Sequence, residues 1–333
     1  MPKKLVDDSQ KPPEITMTKD NEAEVAKMLD ATRIKAPDFW SDEISNNFYI
    51  PVDNGQIRVF HIKPKKPVSK RPLVLIPGWG GILHAYADFY EPIHENVECY
   101  FIETREKGSS ILDKTKARMD MCQKAKDVQD AINYLKLSDK DFVLHGTCWG
   151  SSIILHGLIE GILTAPTILA TDPMHTLWFP KWILRYVSPI LPIFIVNLLR
   201  PILKRIVTFG MKEKVQKQRN IAFIDNAVPW KWKKAAEEVK NFELYGNLHR
   251  IKEEVFVLNG TIDRVHNQTE YPKIAKQIPN GRFIFMKTDE SNRERLMGLI
   301  AREFTKVLKG DDIPHSLSKF EKKLDRESKN QLS

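Results

Sequence analysis

The sequence predicts an α/β fold built on a mostly parallel sheet, and three observations support that expectation. Short apolar runs rich in β-branched residues alternate with stretches whose apolar residues recur at helical spacing. One run, Phe142-Val143-Leu144-His145, passes through Gly146-Thr147-Cys148-Trp149-Gly150 directly into the apolar pattern Ser151-Ser152-Ile153-Ile154-Leu155: a strand, a sharp turn and a helix. Near the front, residues 47–52 and 56–62 alternate around Asp53-Asn54-Gly55, whose Asn-Gly pair fits a tight hairpin.

The remaining elements follow in order. Residues 1–46 form an N-terminal arm, poorly ordered over the polar, proline-bearing residues 1–22 and with a short outer helix from Glu22 to Thr32. Lys63 to Lys70 is a basic surface connection, and an apolar strand follows Arg71. From Met119 to Leu137, Met121, Ala125, Val128, Ile132 and Leu135 recur at helical spacing with lysines and aspartates between them. That is the crossover helix which parallel strands require. Thr167 to Thr171 and Val255 to Asn259 are strands; Pro272–Gln277, Arg282–Met286 and Arg293–Leu308 supply the last helix, strand and helix. Residues 310–333 are highly charged and read as a loose tail.

A chain of 333 residues with a hydrophobic fraction of 42% can bury one large core. Its three cysteines, Cys99, Cys122 and Cys148, are odd in number and lack metal-ligand spacing, so neither a disulfide framework nor a metal site is expected, and a reducing cytoplasm is the simplest setting. The first residues lack an apolar signal stretch, so secretion is not expected. A net charge of +9 favours an anionic partner. No zinc finger, helix-turn-helix or aromatic RNA-binding motif accompanies the charge, which points away from specific nucleic-acid binding and towards a membrane surface. No phosphate-binding glycine loop or nucleotide fingerprint is present, so no cofactor is expected.

The Gly-x-Cys-x-Gly spacing has a steric reason. Its central residue sits in a strained turn where only hydrogens let the neighbouring backbones approach. The thiol then projects above the sheet at a helix N-terminus, where unpaired N–H groups and the dipole favour an anion. A buried cysteine in an ordinary strand-to-helix turn has the same spacing, so the flanks must decide. Arg71-Pro72-Leu73-Val74-Leu75-Ile76-Pro77-Gly78-Trp79-Gly80-Gly81 resembles the strand and oxyanion loop of α/β-hydrolases, with Pro77 where many members have histidine. Val97 to Ser110 resembles the next strand and its Asp-x-Arg-Gly-x-Gly-x-Ser loop, with Glu103 for the Asp and Glu106 for the first Gly. Val255 to Val265 resembles the family's strand-Gly-x-x-Asp-x-Val segment. The pieces stand in the family's order over roughly residues 47–309.

The resemblance implies an α/β-hydrolase fold with helices on both faces, a core of residues 47–173 and 248–309, and an inserted helical cap of residues 174–247. It implies Cys148 as nucleophile, Asp263 as the acid that orients the base, and the backbone N–H groups of Trp79 and Trp149 as the oxyanion hole. The family's histidine, however, is missing from its place after the last strand, which falls at about Glu290 and Ser291. His266, His175 and His84 are substitutes that no spacing rule ranks, and Glu290 or Asp289 would need a raised pKa to serve as base. His145 is expected to point into the fold. A cysteine tolerates the loss better than a serine, because some thiolate exists near neutral pH without a base.

The first half of the insertion is aromatic and aliphatic with basic residues at intervals. Its longest uncharged run, Tyr186 to Leu199, contains Pro189 and Pro192 and is shorter than the ~20 residues of a spanning helix. Its apolar face is expected to roof a pocket for an apolar acyl substrate. Peripheral contact with an anionic membrane would place Trp178, Phe179, Trp182 and Ile183 in the interface and Lys181, Arg185, Lys204 and Arg205 against headgroups. The expected function is therefore a cytoplasmic or membrane-peripheral enzyme that takes an acyl group from an apolar ester or thioester onto Cys148, as hydrolase or acyltransferase. The alternative is a non-catalytic module of the same fold that binds lipid or a partner.

Overall fold

The computed structural model of the chain describes residues 19–32, 45–64, 66–177, 179–210, 214–259 and 269–326, apart from the side chains of Lys19, Asp20, His84 and Val215. After helix α1 (Lys19–Asp30), strands β1 (Ser45–Val52) and β2 (Gly55–Ile62) form an antiparallel hairpin. Asn54 turns the corner at φ 58°, a conformation asparagine tolerates. Strand β3 (Leu73–Ile76), helix α2 (Ala87–Tyr90), strands β4 (Cys99–Ile102) and β5 (Ile111–Leu112), and helix α3 (Met121–Tyr134) come next. Asp120 caps α3 by accepting from the Gln123 N–H at 3.0 Å. Strand β6 (Val143–Thr147), helix α4 (Trp149–Ile159) and strand β7 (Thr167–Thr171) then lead into an insertion. It carries helices α5 (Ile193–Leu198), α6 (Arg200–Thr208), α7 (Lys214–Asp225) and α8 (Pro229–Glu238). Strand β8 (Val255–Asn259), helix α9 (Glu270–Gln277), strand β9 (Gly281–Phe285), helices α10 (Arg293–Thr305) and α11 (His315–Ser318) and strand β10 (Glu321–Lys322) complete the order.

The strands form one sheet in the order β1-β2-β4-β3-β6-β7-β8-β9-β10, with β5 on β2. Strands β4 to β9 of this order pair in parallel, while β1, β2, β5 and β10 pair antiparallel. Every residue of β3, β6, β7 and β8 is buried, as the continuous apolar runs require of strands covered on both faces. Val74, Ile76, Leu144, Ile168 and Val257 pack with residues of α3, α4 and α9; Leu75, Val143, Leu169, Phe256 and Leu258 pack with those of α1, α2 and α10. The chain leaves β3 for β4 on one side, while β6 lies on the other. The carboxyl ends of β3 and β6 therefore flank a topological switch point, where open α/β sheets form their crevice.

The charged tail departs from its expected looseness over the described residues to 326. Leu317 and Phe320 are fully buried, and β10 adds to the edge of β9. Arg282 on β9 holds it through Glu321 at 2.6 and 2.8 Å and Asp312 at 3.0 Å. High average charge concealed three apolar anchors, Ile313, Leu317 and Phe320, spaced to cover the sheet edge. Phe320→Ala is expected to cost about 3–5 kcal/mol, the range for emptying a packed aromatic site, read as a lower urea midpoint with an unchanged slope.

Candidate active site

Between β6 and α4 the backbone makes the sharp turn that the glycine spacing predicts. Cys148 sits at φ 51° and ψ −115°, a region L-residues avoid, and its N–H donates to the Thr171 carbonyl at 2.8 Å. A Cβ on Gly150 would lie 2.1 Å from the Ile76 carbonyl oxygen, and one on Gly146 would lie 2.6 Å from the Ser151 nitrogen. Both positions admit glycine alone. Cys148 occupies the N-cap of α4, so the first N–H of that helix, on Trp149, has no intrahelical acceptor. The thiol is half-buried, with Met174 Sδ 3.5 Å from Sγ. Met174 is held by Ser152, whose hydroxyl donates to its carbonyl at 2.7 Å and accepts from its N–H at 3.0 Å.

The loop after β3 lies against this turn. A Cβ on Gly78 would be 3.2 Å from Cys148 Cβ and 3.7 Å from Sγ. The Gly78 carbonyl accepts from the Lys107 ammonium and from the Gly81 N–H at 2.9 Å. In a trans peptide the C=O and N–H point in opposite directions, so fixing the Gly78 carbonyl towards Lys107 aims the Trp79 N–H away from Lys107. The Gly78 N–H donates to the Tyr86 hydroxyl at 3.1 Å, which is itself 2.6 Å from Thr147 Oγ1, on the residue before the cysteine. The Trp79 ring meets Trp149 edge-on at 5.5 Å and Trp232 of α8 at 6.1 Å. The loop is thus packed among aromatic rings.

Beneath the loop runs a buried set of charges that sequence reasoning missed. Glu106 and Lys107 pair at 3.2 Å, and Thr104 donates to Glu106 at 2.6 Å. Lys124, fully buried on α3, donates to the Met119 carbonyl at 2.7 Å and places its ammonium 5.1 Å from the Trp79 ring centre. Lys231, on α8, donates to the Lys107 carbonyl at 2.8 Å, to the Ser110 carbonyl at 2.6 Å and to the Ser110 hydroxyl at 2.7 Å, fastening the insertion to this loop. Burial raises the Glu106 carboxyl, but the ammoniums of Lys107 and Lys124 outweigh it and bring it to about 2. Burial pushes both Lys124 and Lys231 down to about 8, against the attraction of Glu106. In the sequence Glu106 was only a departure from the family glycine; in the structure it is the counterion of the cluster.

Of the predicted site residues, Asp263 and His266 lie outside the described residues, as does the side chain of His84. Cys148, Trp79 and Trp149 come together as described. His175 is engaged elsewhere: its ring packs on Tyr245 at 5.0 Å and its Nδ1 is 3.9 Å from Glu270. Glu290 begins a 3₁₀ turn over residues 290–292, which Asp289 caps by accepting from the Asn292 N–H at 3.0 Å and the Ser291 hydroxyl at 2.5 Å. Burial works to raise the Asp289 carboxyl, but these donors prevail and hold it below its ordinary value, the opposite of what a general base needs. Asp289 thus caps the 290–292 turn. His145 points into the fold; its Nε2 is 2.8 Å from Thr171 Oγ1, and burial pushes its pKa down to about 3. Among the described side chains no histidine is hydrogen-bonded to Cys148 Sγ.

The segment after the last parallel strand delivers an arginine instead. Arg293, the first residue of α10, donates from Nε at 2.9 Å and Nη2 at 2.8 Å to Oδ2 of Asp172, whose Oδ1 accepts from Asn259 at 2.6 Å. Asp172 is buried at φ 47°, one residue beyond β7. A guanidinium holds its proton at any physiological pH, so this pair fixes structure but cannot relay a proton. Asp172 directly follows the strand after the elbow, whereas the family pattern in the sequence marks Asp263.

No protein-family model matches the chain, and no curated protein matches it in sequence. Solved structures do match. An esterase from Exiguobacterium antarcticum has a TM-score of 0.63 at 17% identity, covering 78% of this chain and 99% of that chain. A hydrolase from Pseudomonas aeruginosa has a TM-score of 0.59 at 14% identity, covering 74% and 92%. A membrane phospholipase A described as a bacterial virulence factor has a TM-score of 0.54 at 14% identity, covering 80% and 84%. This chain has the α/β-hydrolase fold. Within that fold Cys148 stands in the turn between β6 and α4, and Pro77–Gly81 follows β3.

The Glu106 cluster makes a pH-dependent contribution. Because the folded carboxyl titrates near 2 and the ordinary value is 4.5, the unfolded chain binds more protons between these values. The stability is present above pH 4.5 and is lost as pH falls towards 2. Glu106→Gln strands two buried ammoniums and is expected to cost about 3–5 kcal/mol at neutral pH. The variant should also show a shallower acid limb in urea melts taken at falling pH.

Proposed function

We propose that the protein is an α/β-hydrolase-type enzyme that takes the acyl group of an apolar ester or thioester onto Cys148. The observation that carries this reading is the strained placement of Cys148, half-buried at a helix N-terminus and pressed against Gly78. Positive φ at a non-glycine residue costs about 1–3 kcal/mol and persists where the surrounding structure enforces it. The thiolate attacks the carbonyl carbon, and the oxyanion that forms accepts from the N–H groups of Trp149 and Trp79. Collapse breaks the bond from the carbonyl carbon to the leaving oxygen or sulfur, which takes up from solvent the proton that the thiol released, and a thioester is left on Sγ. Lys107 is a positioning residue: it holds the Gly78–Trp79 peptide in the orientation that presents the Trp79 N–H.

Transfer to an acceptor with its own good nucleophile suits this site better than hydrolysis. Water must be deprotonated to attack, and a placed general base is worth about 10²–10⁴-fold. The Asp172–Arg293 pair supplies none. The same pair favours a second reading, a non-catalytic module that holds a lipid-like ligand under the insertion.

Incubation with a long-chain acyl thioester, followed by intact mass measurement, separates the two readings. One acyl group per chain, removable by neutral hydroxylamine and absent from Cys148→Ala, is the expected result. Retention of unmodified lipid by both proteins would instead support the binding module. Lys107→Met is expected to slow acylation by about 10²-fold, the effect of losing one oxyanion donor, while still reaching the same final labelling.

A further inference from the structure

We infer that the outward face of the insertion between β7 and β8 is a docking surface for a bilayer of anionic phospholipid. The decisive feature is a helix that leaves bulky apolar residues in solvent. On α6 Arg200 and Lys204 are turned towards the protein: Arg200 donates to the carbonyls of Asp225 at 3.0 Å and Ile224 at 3.3 Å, and Lys204 pairs with Asp225. The apolar residues Ile202 and Ile206 face out, at 55% and 58% exposure. An ordinary surface helix does the reverse.

The neighbouring segments repeat the pattern one turn apart. Trp182 and Tyr186 in the first helical turns of the insertion, Phe194 and Leu198 on α5, and Phe209 after α6 are all exposed, Leu198 by 73%. Prolines 189 and 192 break the run into short helices. Among the described residues no helix is long and apolar enough to cross a membrane. Short helices with aromatic residues, bulky aliphatic residues and Lys/Arg lie in an interface rather than span it.

Charge selects the occupant. From Phe179 to Gly210 there is no Asp or Glu, whereas Lys181, Arg185, Arg200, Lys204 and Arg205 are all basic. Lys181, Arg185 and Arg205 are exposed beside the apolar side chains. A second copy of the chain would set these like charges against one another, while acidic headgroups complement them. Lys204, expected from the sequence to meet headgroups, is instead paired with Asp225, and Ile183, expected in the interface, is half-buried. Trp178 lies outside the described residues.

Flotation with vesicles tests the inference without any turnover. The protein is expected to float with vesicles of mixed phosphatidylglycerol and phosphatidylcholine and to remain unbound with phosphatidylcholine alone. The triple variant Phe194→Glu, Ile202→Glu, Ile206→Glu alters only exposed positions; its circular dichroism and melting should match wild type while flotation is lost. Replacing Lys181 and Arg205 by glutamine is expected to weaken binding about fivefold per charge. Equal flotation of wild type and the triple glutamate variant would overturn the inference, as would no flotation of wild type. A concentration-dependent dimer that the glutamates dissociate, without flotation, would assign the face to a second copy and also overturn it. The inference does not rest on acylation: Cys148→Ala should float like wild type, so the two readings can fail separately.

Discussion

The constraint on which the rest depends is the clearance between the turn after β6 and the end of β3. With the Ile76 carbonyl 2.1 Å from where a Cβ of residue 150 would stand, α4 can approach the sheet only over a glycine. That approach forces Cys148 to positive φ and lifts its side chain above the carboxyl edge of the sheet. Burial of β3, β6 and β7 on both faces supplies the energy that keeps the turn strained. The distance from Gly78 to Cys148 is a consequence of the same parallel register, in which Ile76 pairs with Gly146.

A second constraint acts at right angles to the first. Buried ammonium groups are costly, and Lys107, Lys124 and Lys231 are buried together around one carboxylate. Such a cluster is poor value for stability alone, since well-packed apolar groups would do as well. It does fix direction: Lys107 sets the Gly78 peptide, Lys124 underlies the Trp79 ring, and Lys231 ties α8 to the Lys107–Ser110 turn. The Gly78–Trp79 segment is therefore held by the Lys107 hydrogen bond and the Lys124 ammonium beneath the ring, with Lys231 fixing the turn that carries Lys107.

The architecture was legible because it rests on local patterns. The glycine bracket at Cys148, the hairpin at Asn54 and the helical period from Met121 each report a steric or burial requirement of neighbouring residues. What escaped reading was long-range pairing of charged residues. Glu106, Lys124 and Arg293 look like solvated residues in a sequence, and only the topology brings Arg293 to Asp172, 121 positions away. The tail failed for a related reason: average charge hid Leu317 and Phe320, whose burial depends on a sheet edge the local sequence does not contain.

Helix α8 lies between the Lys107–Ser110 turn and the exposed run of the insertion. On its inner side Lys231 and Trp232 engage the Lys107–Ser110 turn and Trp79. On its outer side Lys233 donates to the Leu191 carbonyl at 3.0 Å and Glu237 accepts from the Ser188 hydroxyl at 2.7 Å, holding the start of the exposed apolar run. Arg219 on α7 anchors the insertion again, between Asp88 and Glu294 on the core. The exposed apolar run and the Lys107–Ser110 turn are thus held by opposite sides of one short helix, and the Lys107 side chain in turn holds the Gly78 carbonyl beside Cys148.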